Sequence, residues 1–341
     1  MYIRASGSTK TFLVLYVDDI LLIGNNVAAL QEVKSWLGSC FAMKDLGEAS
    51  YILGIKIHRD RSRRLIGLSQ SAYIEKVLKR FNMQDSKKGF MPLSHGTVLS
   101  ADQCPTTAAD KEKMSRVPYA SAVGSIMYAM ICTRPDVACA LSLVSRYQAN
   151  PGESHWSGVK SILKYLRRTK DAFLVYGGES ELRLRGYSDA SFQSDRDDTS
   201  SQTGWVFLLN GGAVSWKSVM QKTISDSTAE SEYVAANDAS KEASWMRKFI
   251  GDLGVVPSIE GPIEIFCDNT AAVSLAEGTG APKNTRHILR QYNRIRQDVE
   301  MGSIKMSRVP TEDNVADPLT KMLSRATHEQ HVRSMGIKDT L

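Results

Sequence analysis

The 341-residue chain is long enough for about two or three domains, and its 42% hydrophobic and 23% charged residues exclude wholesale disorder. The net charge of +6 permits a polyanionic partner without establishing one, and the five cysteines, which form no C-x-x-C pair, indicate buried thiols in a reducing compartment. The most apolar stretch, residues 11–24, contains Asp18 and Asp19 and is too short to span a bilayer. We therefore expect a soluble, intracellular protein with no membrane partner.

The first part of the chain alternates strand and helix patterns. Two β-branched and aromatic runs, residues 11–16 and 20–23, flank Val17-Asp18-Asp19 and predict a tight β-hairpin. The next predicted elements are a helix over 27–37, strands over 50–58 and 65–68, and a helix over 71–81. Residues 91–118 are rich in Pro, Ser, Thr and Asp and predict an irregular connector.

The second part begins with helical patterns and then changes to a mixed pattern. Helices are predicted over 122–132, 137–147 and 153–168, followed by a linker over 177–180. The strands that follow are predicted over 182–187, 203–209 and 213–216, with the hairpin turn Asn210-Gly211-Gly212 between the last two. The remaining pattern predicts a helix over 228–253, a strand over 263–266, helices over 270–277 and 286–301, a strand over 304–309 and a helix over 314–322. Together these elements predict an α/β (α+β) fold with a mixed five-stranded sheet and flanking helices.

Four carboxylates fall at positions where they would gather at one end of this sheet. They are Asp189 after the first strand, Glu232 in the first turns of the long helix, Asp268 at a strand end, and Asp317 on the last helix. Hard divalent cations need several oxygen ligands at one point, and two such ions can drive phosphodiester cleavage. The alternative for Asp268 and its neighbour Asn269 is a simple helix cap.

Five segments between residues 182 and 323 resemble the RNase H domain of Ty1/copia retrotransposon polyproteins: GYSDAS, SQTGWVFLLNGGAVSWKS, STAESEYVAA, FCDNTAAV and VPTEDNVADPLTK. The resemblance implies that Asp189, Asp268 and Asp317 are catalytic metal ligands. It leaves Glu230 and Glu232 as alternatives for the fourth. We favour Glu232, because Glu-Tyr-Val-Ala matches the family helix and residues two apart do not share a helix face.

The chain departs from the related retroviral pattern at Thr311, where those enzymes carry a histidine thought to assist product release. His287 is the substitute to consider, against the alternative of a merely solvated helix residue. Arg286 and Arg290, with Arg294 and Arg296, form a basic segment that either lies over phosphates or is a solvated face.

The N-terminal part resembles a different enzyme of the same polyproteins. LVLYVDDILLIG resembles the reverse transcriptase palm hairpin, whose two aspartates are here Asp18 and Asp19, and KDLGEASYILGIKI resembles the next palm strands. A polymerase also needs a third aspartate and fingers, which would precede Met1, so we expect no independent polymerase activity. In the following connection, basic residues either track a hybrid backbone or form a solvated face: Lys160, Lys164, Arg167, Arg168 and Lys170.

These observations predict a partial palm and thumb over residues 1–90, a helical connection over 91–180, an RNase H domain over 181–325 and a C-terminal tail over 326–341. The resemblance implies hydrolysis of the RNA strand of RNA–DNA hybrids with two Mg²⁺ ions, with Mn²⁺ as the alternative ion. It also implies a cytoplasmic (virus-like particle) or nuclear location, and it leaves the oligomeric state open. The alternative is an inert nucleic-acid-binding remnant; an integrase is disfavoured by the Asp-Glu-Asp-Asp order.

Overall fold

The computed structural model describes residues 1–278 and 289–340. The chain divides into two compact units, Met1–Leu53 and Gly54–Leu341. Within the described ranges, no helix combines the length and apolarity needed to cross a membrane.

The first unit is an antiparallel sheet with one helix. Its elements are β1 (Tyr2–Ser6), β2 (Thr9–Tyr16), β3 (Asp19–Gly24), α1 (Val27–Cys40) and β4 (Tyr51–Ile52). Strands β1, β2 and β3 pair in that order, and Tyr16 faces Asp19 across the predicted hairpin. The Asn26 side chain accepts a hydrogen bond from the Ala29 N–H and so starts α1.

The second unit combines a helical layer with two sheets. Its elements up to the linker are β5 (Ile55–Asp60), β6 (Leu65–Ser69), α2 (Ser71–Arg80), α3 (Ala108–Ser115), α4 (Tyr119–Thr133), α5 (Ala138–Ser145), α6 (Glu153–Arg168) and β7 (Phe173–Tyr176). The elements after the linker are β8 (Arg185–Ser191), β9 (Gln202–Leu209), β10 (Gly212–Met220), α7 (Thr228–Leu253), β11 (Ile263–Cys267), α8 (Thr270–Glu277), α9 (Leu289–Glu300), β12 (Ile304–Arg308), α10 (Arg325–Ser334) and β13 (Ile337–Lys338).

The sheet that carries the candidate site has the strand order β10-β9-β8-β11-β12. Strands β8, β9 and β10 are antiparallel neighbours, whereas β11 runs parallel to both β8 and β12. Phe207, Ile265 and Tyr233 lie in the buried core between this sheet and α7. The predicted α/β fold with a mixed five-stranded sheet and flanking helices is confirmed.

Helix α7 has the predicted bounds because both ends carry strong local signals. The Ser227 hydroxyl accepts a hydrogen bond from the Glu230 N–H, and the Glu230 carboxylate accepts one from the Asp226 N–H. At the other end Gly254 takes a left-handed conformation with a φ of 63°, which ends the helix. This fixed register determines which side chains of α7 face the sheet.

Two sequence predictions are corrected by the fold. The connector over 91–118 contains the two-turn helix α3, because the Thr107 side chain accepts a hydrogen bond from the Asp110 N–H and caps it. The helix predicted over 314–322 is wrong, since this segment forms only short 3₁₀ turns, one of them Asp317–Leu319. The Asn314 side chain donates to the Ser188 carbonyl, 3.0 Å away, and Pro318 has no N–H for a helical hydrogen bond.

Residues 326–341, predicted as a C-terminal tail, contain most of α10 and strand β13. Strand β13 pairs antiparallel with β7, which in turn pairs with β6, so the second sheet runs β13-β7-β6-β5. Met335 and Ile337 are buried against residues of β7, β9 and β10. This segment therefore joins the two sheets of the second unit.

Gly336 lies where no side chain fits. A Cβ atom there would lie 2.7 Å from both the Gly211 carbonyl oxygen and the Gly212 Cα, and the φ of +86° is unfavourable for other residues. Replacing Gly336 by alanine is expected to lower the free energy of unfolding by about 2–4 kcal/mol. Urea titrations measure this, with Gly302→Ala as the matched control.

Gly302 also has a positive φ, +65°, but nothing lies within 4 Å of its added Cβ. The control should therefore lose only about 1 kcal/mol, from backbone conformation. Equal losses in the two variants would contradict the close approach at Gly336.

Candidate metal centre

Asp189 lies on the central strand of the mixed sheet. It faces Gly204 across the β8–β9 pair and is 1% exposed. The sequence prediction placed it just past the end of its strand, but β8 continues to Ser191, because Ala190 and Ser191 still pair with β9. The Thr320 hydroxyl donates a hydrogen bond to the Asp189 carboxylate.

Glu232 and Glu230 both lie in the first turns of α7, but their carboxylates have different partners. The Glu230 carboxylate accepts a hydrogen bond from the Asp226 N–H, just before the helix. Glu232 is 7% exposed, and its Oε2 atom lies 3.8 Å from the Cys267 Sγ atom at the end of β11. Of the two glutamates left open by the sequence, Glu232 is the one that the structure places among the other carboxylates.

Asp268 completes a tight group with these residues. Ligand atoms of Glu232, Cys267 and Asp268 all lie within 4.8 Å of one another. Asn269 caps α8 by accepting a hydrogen bond from the Ala272 N–H at 3.0 Å. The Asp268 carboxylate instead accepts a hydrogen bond from the Thr311 hydroxyl at 2.8 Å, so Thr311 orients this carboxylate.

Asp317 lies in the 3₁₀ turn after β12. Thr320 and Lys321, which follow this turn, also contact the cluster, and sequence reasoning missed both. The Lys321 Nζ atom lies 2.5 Å from the Asp317 Oδ1 atom, and Thr320 contacts Asp189. Asp317 is 4% exposed. The sequence signal for both is the segment DPLTK, where threonine and lysine follow the aspartate by three and four residues.

The electrostatics of the cluster are those of crowded carboxylates. Burial raises the pKa of Asp189 to about 7, and the negative charges of Asp317 and Asp268 act in the same direction against Lys321. Burial, together with Asp189 and Asp268, raises the pKa of Glu232 to about 9. Burial acts to lower the pKa of Lys321, but the neighbouring carboxylates outweigh it and raise that pKa.

The donor set fits hard divalent cations. Four carboxylates from four separate segments supply oxygen ligands, which Mg²⁺ and Mn²⁺ prefer, and the excess negative charge favours a bound cation. Asp189, Glu232, Asp268 and Asp317 are the residues that could hold such ions. The Cys267 thiol is the soft donor in the group. Burial raises the pKa of this thiol above its ordinary value.

The raised pKa values predict how stability changes with pH when divalent ions are removed. Below pH 4.5 Glu232 is protonated in both the folded and the unfolded chain. As the pH rises toward 9, Glu232 ionises in the unfolded chain but stays protonated in the folded one, so the free energy of unfolding falls. The free energy of unfolding of Glu232→Gln, taken relative to that of the unaltered chain, should therefore rise by on the order of a few kcal/mol between pH 5 and 9. Urea titrations in a chelator measure the difference.

Asp189→Asn provides the comparison, since its gain should level off near pH 7. Asp268 and Lys321 act on both groups, Asp317 acts on Asp189, and all three are unchanged in either variant. A Glu232→Gln difference that is constant with pH would contradict the crowded cluster.

The two aspartates of the predicted polymerase hairpin lie in the first unit. Asp18 and Asp19 are exposed at the tip of the β2–β3 hairpin, next to Val17 with a φ of 49°. Such a conformation is strained for a β-branched residue and is typical of functional turns.

The predicted basic residues divide into three groups. Lys160, Lys164, Arg167 and Lys170 are half-buried on or just after α6, and the first three follow helical spacing. Arg168 is instead engaged within the protein, since it stacks on Phe90 and pairs with Glu329 at 3.4 Å. Arg286 and His287 lie outside the described residues, and Arg290 lies in the first turn of α9.

Similarity to known sequences places the chain in the class of retrotransposon-derived proteins. Residues 1–95 match the family model described as reverse transcriptase (RNA-dependent DNA polymerase). The chain is 44% identical over 96% of its length to the retrovirus-related Pol polyprotein from transposon TNT 1-94 of Nicotiana tabacum. It is 31% identical to the putative transposon Ty5-1 protein YCL074W of Saccharomyces cerevisiae, over 71% of this chain and 77% of that protein. The chain belongs to the Ty1/copia-type family of retrotransposon Pol polyproteins.

The chain spans about a quarter of the tobacco polyprotein, 24% of its length. Among solved structures it is similar to LC11-RNase H1, isolated from compost, with a TM-score of 0.32 and 17% sequence identity over 41% of this chain and 95% of that one.

Proposed function

We propose that this chain hydrolyses the RNA strand of RNA–DNA hybrids, using two divalent ions held by Asp189, Glu232, Asp268 and Asp317. One observation carries the proposal: four carboxylates that are far apart in sequence lie together at one end of the mixed sheet, where burial and their mutual repulsion raise the pKa of two of them. A fold that only had to be stable would gain nothing from such crowding, because burying several like charges close together is costly.

The carboxylates and the threonines have different roles at the proposed metal centre. When bound, the two ions supply the activation of water and the stabilisation of the leaving 3′ oxygen. Asp189 and Glu232 are held by the rigid strand β8 and helix α7, which fixes the spacing of their carboxylates. Thr320 and Thr311 each donate a hydrogen bond to one carboxylate, Asp189 and Asp268 respectively, and so orient its ligand oxygens.

For the substrate we propose recognition by shape. Proteins distinguish RNA in a hybrid by its 2′-hydroxyl groups in the shallow minor groove, without reading base sequence. Lys160, Lys164 and Arg167 share one face of α6 and are proposed to contact phosphates. Because Arg168 is engaged with Phe90 and Glu329, its replacement should change hybrid affinity less than that of Lys164.

The test is cleavage of a labelled RNA–DNA hybrid by the purified chain with Mg²⁺, beside Asp189→Asn. Cleavage by the unaltered chain that is lost in the variant supports the proposal. A folded chain that binds the hybrid and does not cut it would replace the proposal by the alternative of an inert nucleic-acid-binding remnant.

A further inference from the structure

Lys321 occupies an unusual place for a lysine. Its Nζ atom lies 2.5 Å from the Asp317 Oδ1 atom, and the Asp317 side chain is only 5% exposed. An ordinary i,i+4 ion pair on a surface contributes little, because water screens both charges. Here the carboxylate is buried, so the ammonium group replaces water as its partner.

The ammonium group also acts on the other three carboxylates. Its positive charge acts on Asp189 and Glu232, and it interacts with Asp268 as well. The preceding residue, Thr320, donates to Asp189. The Thr320-Lys321 pair therefore places donors on two of the four carboxylates and one positive charge near all of them.

The same oxygens are the ones that divalent ions would need. An ammonium group that holds Asp317 Oδ1 at 2.5 Å both occupies that oxygen and repels a second cation nearby. The Lys321 side chain is 42% exposed, and its four-carbon stem is flexible, so the group has a route away from the cluster.

We propose that the Lys321 ammonium group competes with a divalent ion for Asp317 and Asp189. It weakens the binding of one of the two divalent ions, and it leaves the cluster when that ion binds. The proposal rests on the function proposed above, and it concerns the regulation of ion binding at that site. Lys321 acts here through the carboxylates and is a positioning residue.

The first test is calorimetric titration of the full chain with Mg²⁺ in the absence of nucleic acid. Lys321→Met keeps the stem and removes the charge, and it should lower the dissociation constant of the weaker ion by at least about tenfold, since a competing charge is removed. Lys321→Arg should stay within about threefold of the unaltered chain. Lys305→Met is the matched control, because Lys305 pairs with Glu264 at 3.5 Å on the same domain, and it should change nothing.

The second test needs no substitution and therefore does not depend on the variant folding. Acylation of lysines, quantified by mass spectrometry, reports how free each ammonium group is. Saturating Mg²⁺ should increase labelling of Lys321 several-fold relative to Lys305, because release from Asp317 frees the amine.

The outcomes separate this inference from the proposed function. If the unaltered chain binds Mg²⁺ but Lys321→Met binds it equally or more weakly, or if Mg²⁺ leaves Lys321 labelling unchanged, the competition is refuted and the metal centre stands. If neither chain binds Mg²⁺, the metal centre is refuted and the competition with it. Binding by Lys321→Met alone would support both.

Discussion

Replacing Asp268 by asparagine is expected to lower hybrid cleavage by about a thousandfold, while hybrid binding stays within about twofold. A bound divalent ion contributes several kcal/mol of transition-state stabilisation, and each 1.36 kcal/mol corresponds to a factor of ten in rate. Asparagine keeps the shape and the hydrogen bond from Thr311 but removes the charge that the ions need. Single-turnover cleavage rates and filter-binding affinities, both at fixed salt, measure the two effects.

Glu264→Gln is the matched control, because Glu264 lies on the same strand, β11, but contacts Ser307 and Lys305 instead of the cluster. It should cleave at an ordinary rate. Thr311→Val should fall between the two, with a loss of about tenfold, since it only frees the orientation of Asp268. Cleavage by Asp268→Asn within twofold of the unaltered chain would refute its role as a metal ligand.

Replacing Asp136 by alanine is expected to lower the free energy of unfolding by about 3–5 kcal/mol, because it leaves a buried arginine without its counter-charge. The Arg134 guanidinium donates two hydrogen bonds to Asp136, at 3.0 and 2.7 Å, and both side chains are almost fully buried. The Tyr165 hydroxyl donates a third, at 2.7 Å. Burial acts to raise the pKa of Asp136, but Arg134 outweighs it and holds that pKa below its usual range. Urea titrations followed by circular dichroism measure the loss.

Two further variants serve as controls for the stability loss in Asp136→Ala. Glu112→Ala removes the exposed partner of Arg116 and should cost less than about 1 kcal/mol. The double variant Arg134→Met with Asp136→Leu removes both charges and should recover most of the loss, since buried pairs contribute little over apolar packing. A loss below 1 kcal/mol in Asp136→Ala would contradict the buried network.

The sequence predicted those parts of the fold whose signals are local. Helix α7 was predicted with its observed bounds because Ser227 and Gly254 mark its two ends within a few residues. The order of strands and helices after residue 181 then suffices for the mixed sheet. The Asn210-Gly211-Gly212 turn likewise sets the β9–β10 hairpin, where Gly212 faces Leu209.

Elements that depend on distant partners were not predicted. Strand β7 has four residues and β13 has two, so neither shows a period, and each exists because of pairing with segments far along the chain. The segment around Asp317 was predicted as a helix because its apolar spacing allows one. The Asn314 side chain fixes it elsewhere by donating to Ser188 on β8.

The candidate site follows the same division. Its four carboxylates were named from their motifs, and the geometry that separates Glu232 from Glu230 is a helix-capping interaction that the sequence already contained. Thr320 and Lys321 were missed because their roles depend on contacts with Asp189 and Asp317 across a turn.

The position of β7 has a consequence for synthesis on the ribosome. Leu174 pairs with Leu68 on one side, but its partner on the other side is Ile337. At roughly 5–20 residues per second, translation from β7 to β13 takes roughly 10–30 s, during which one edge of β7 has no native neighbour. An open strand edge is a template for pairing with another chain. Neighbouring nascent chains on one messenger RNA would therefore be exposed to each other at this edge until β13 emerges.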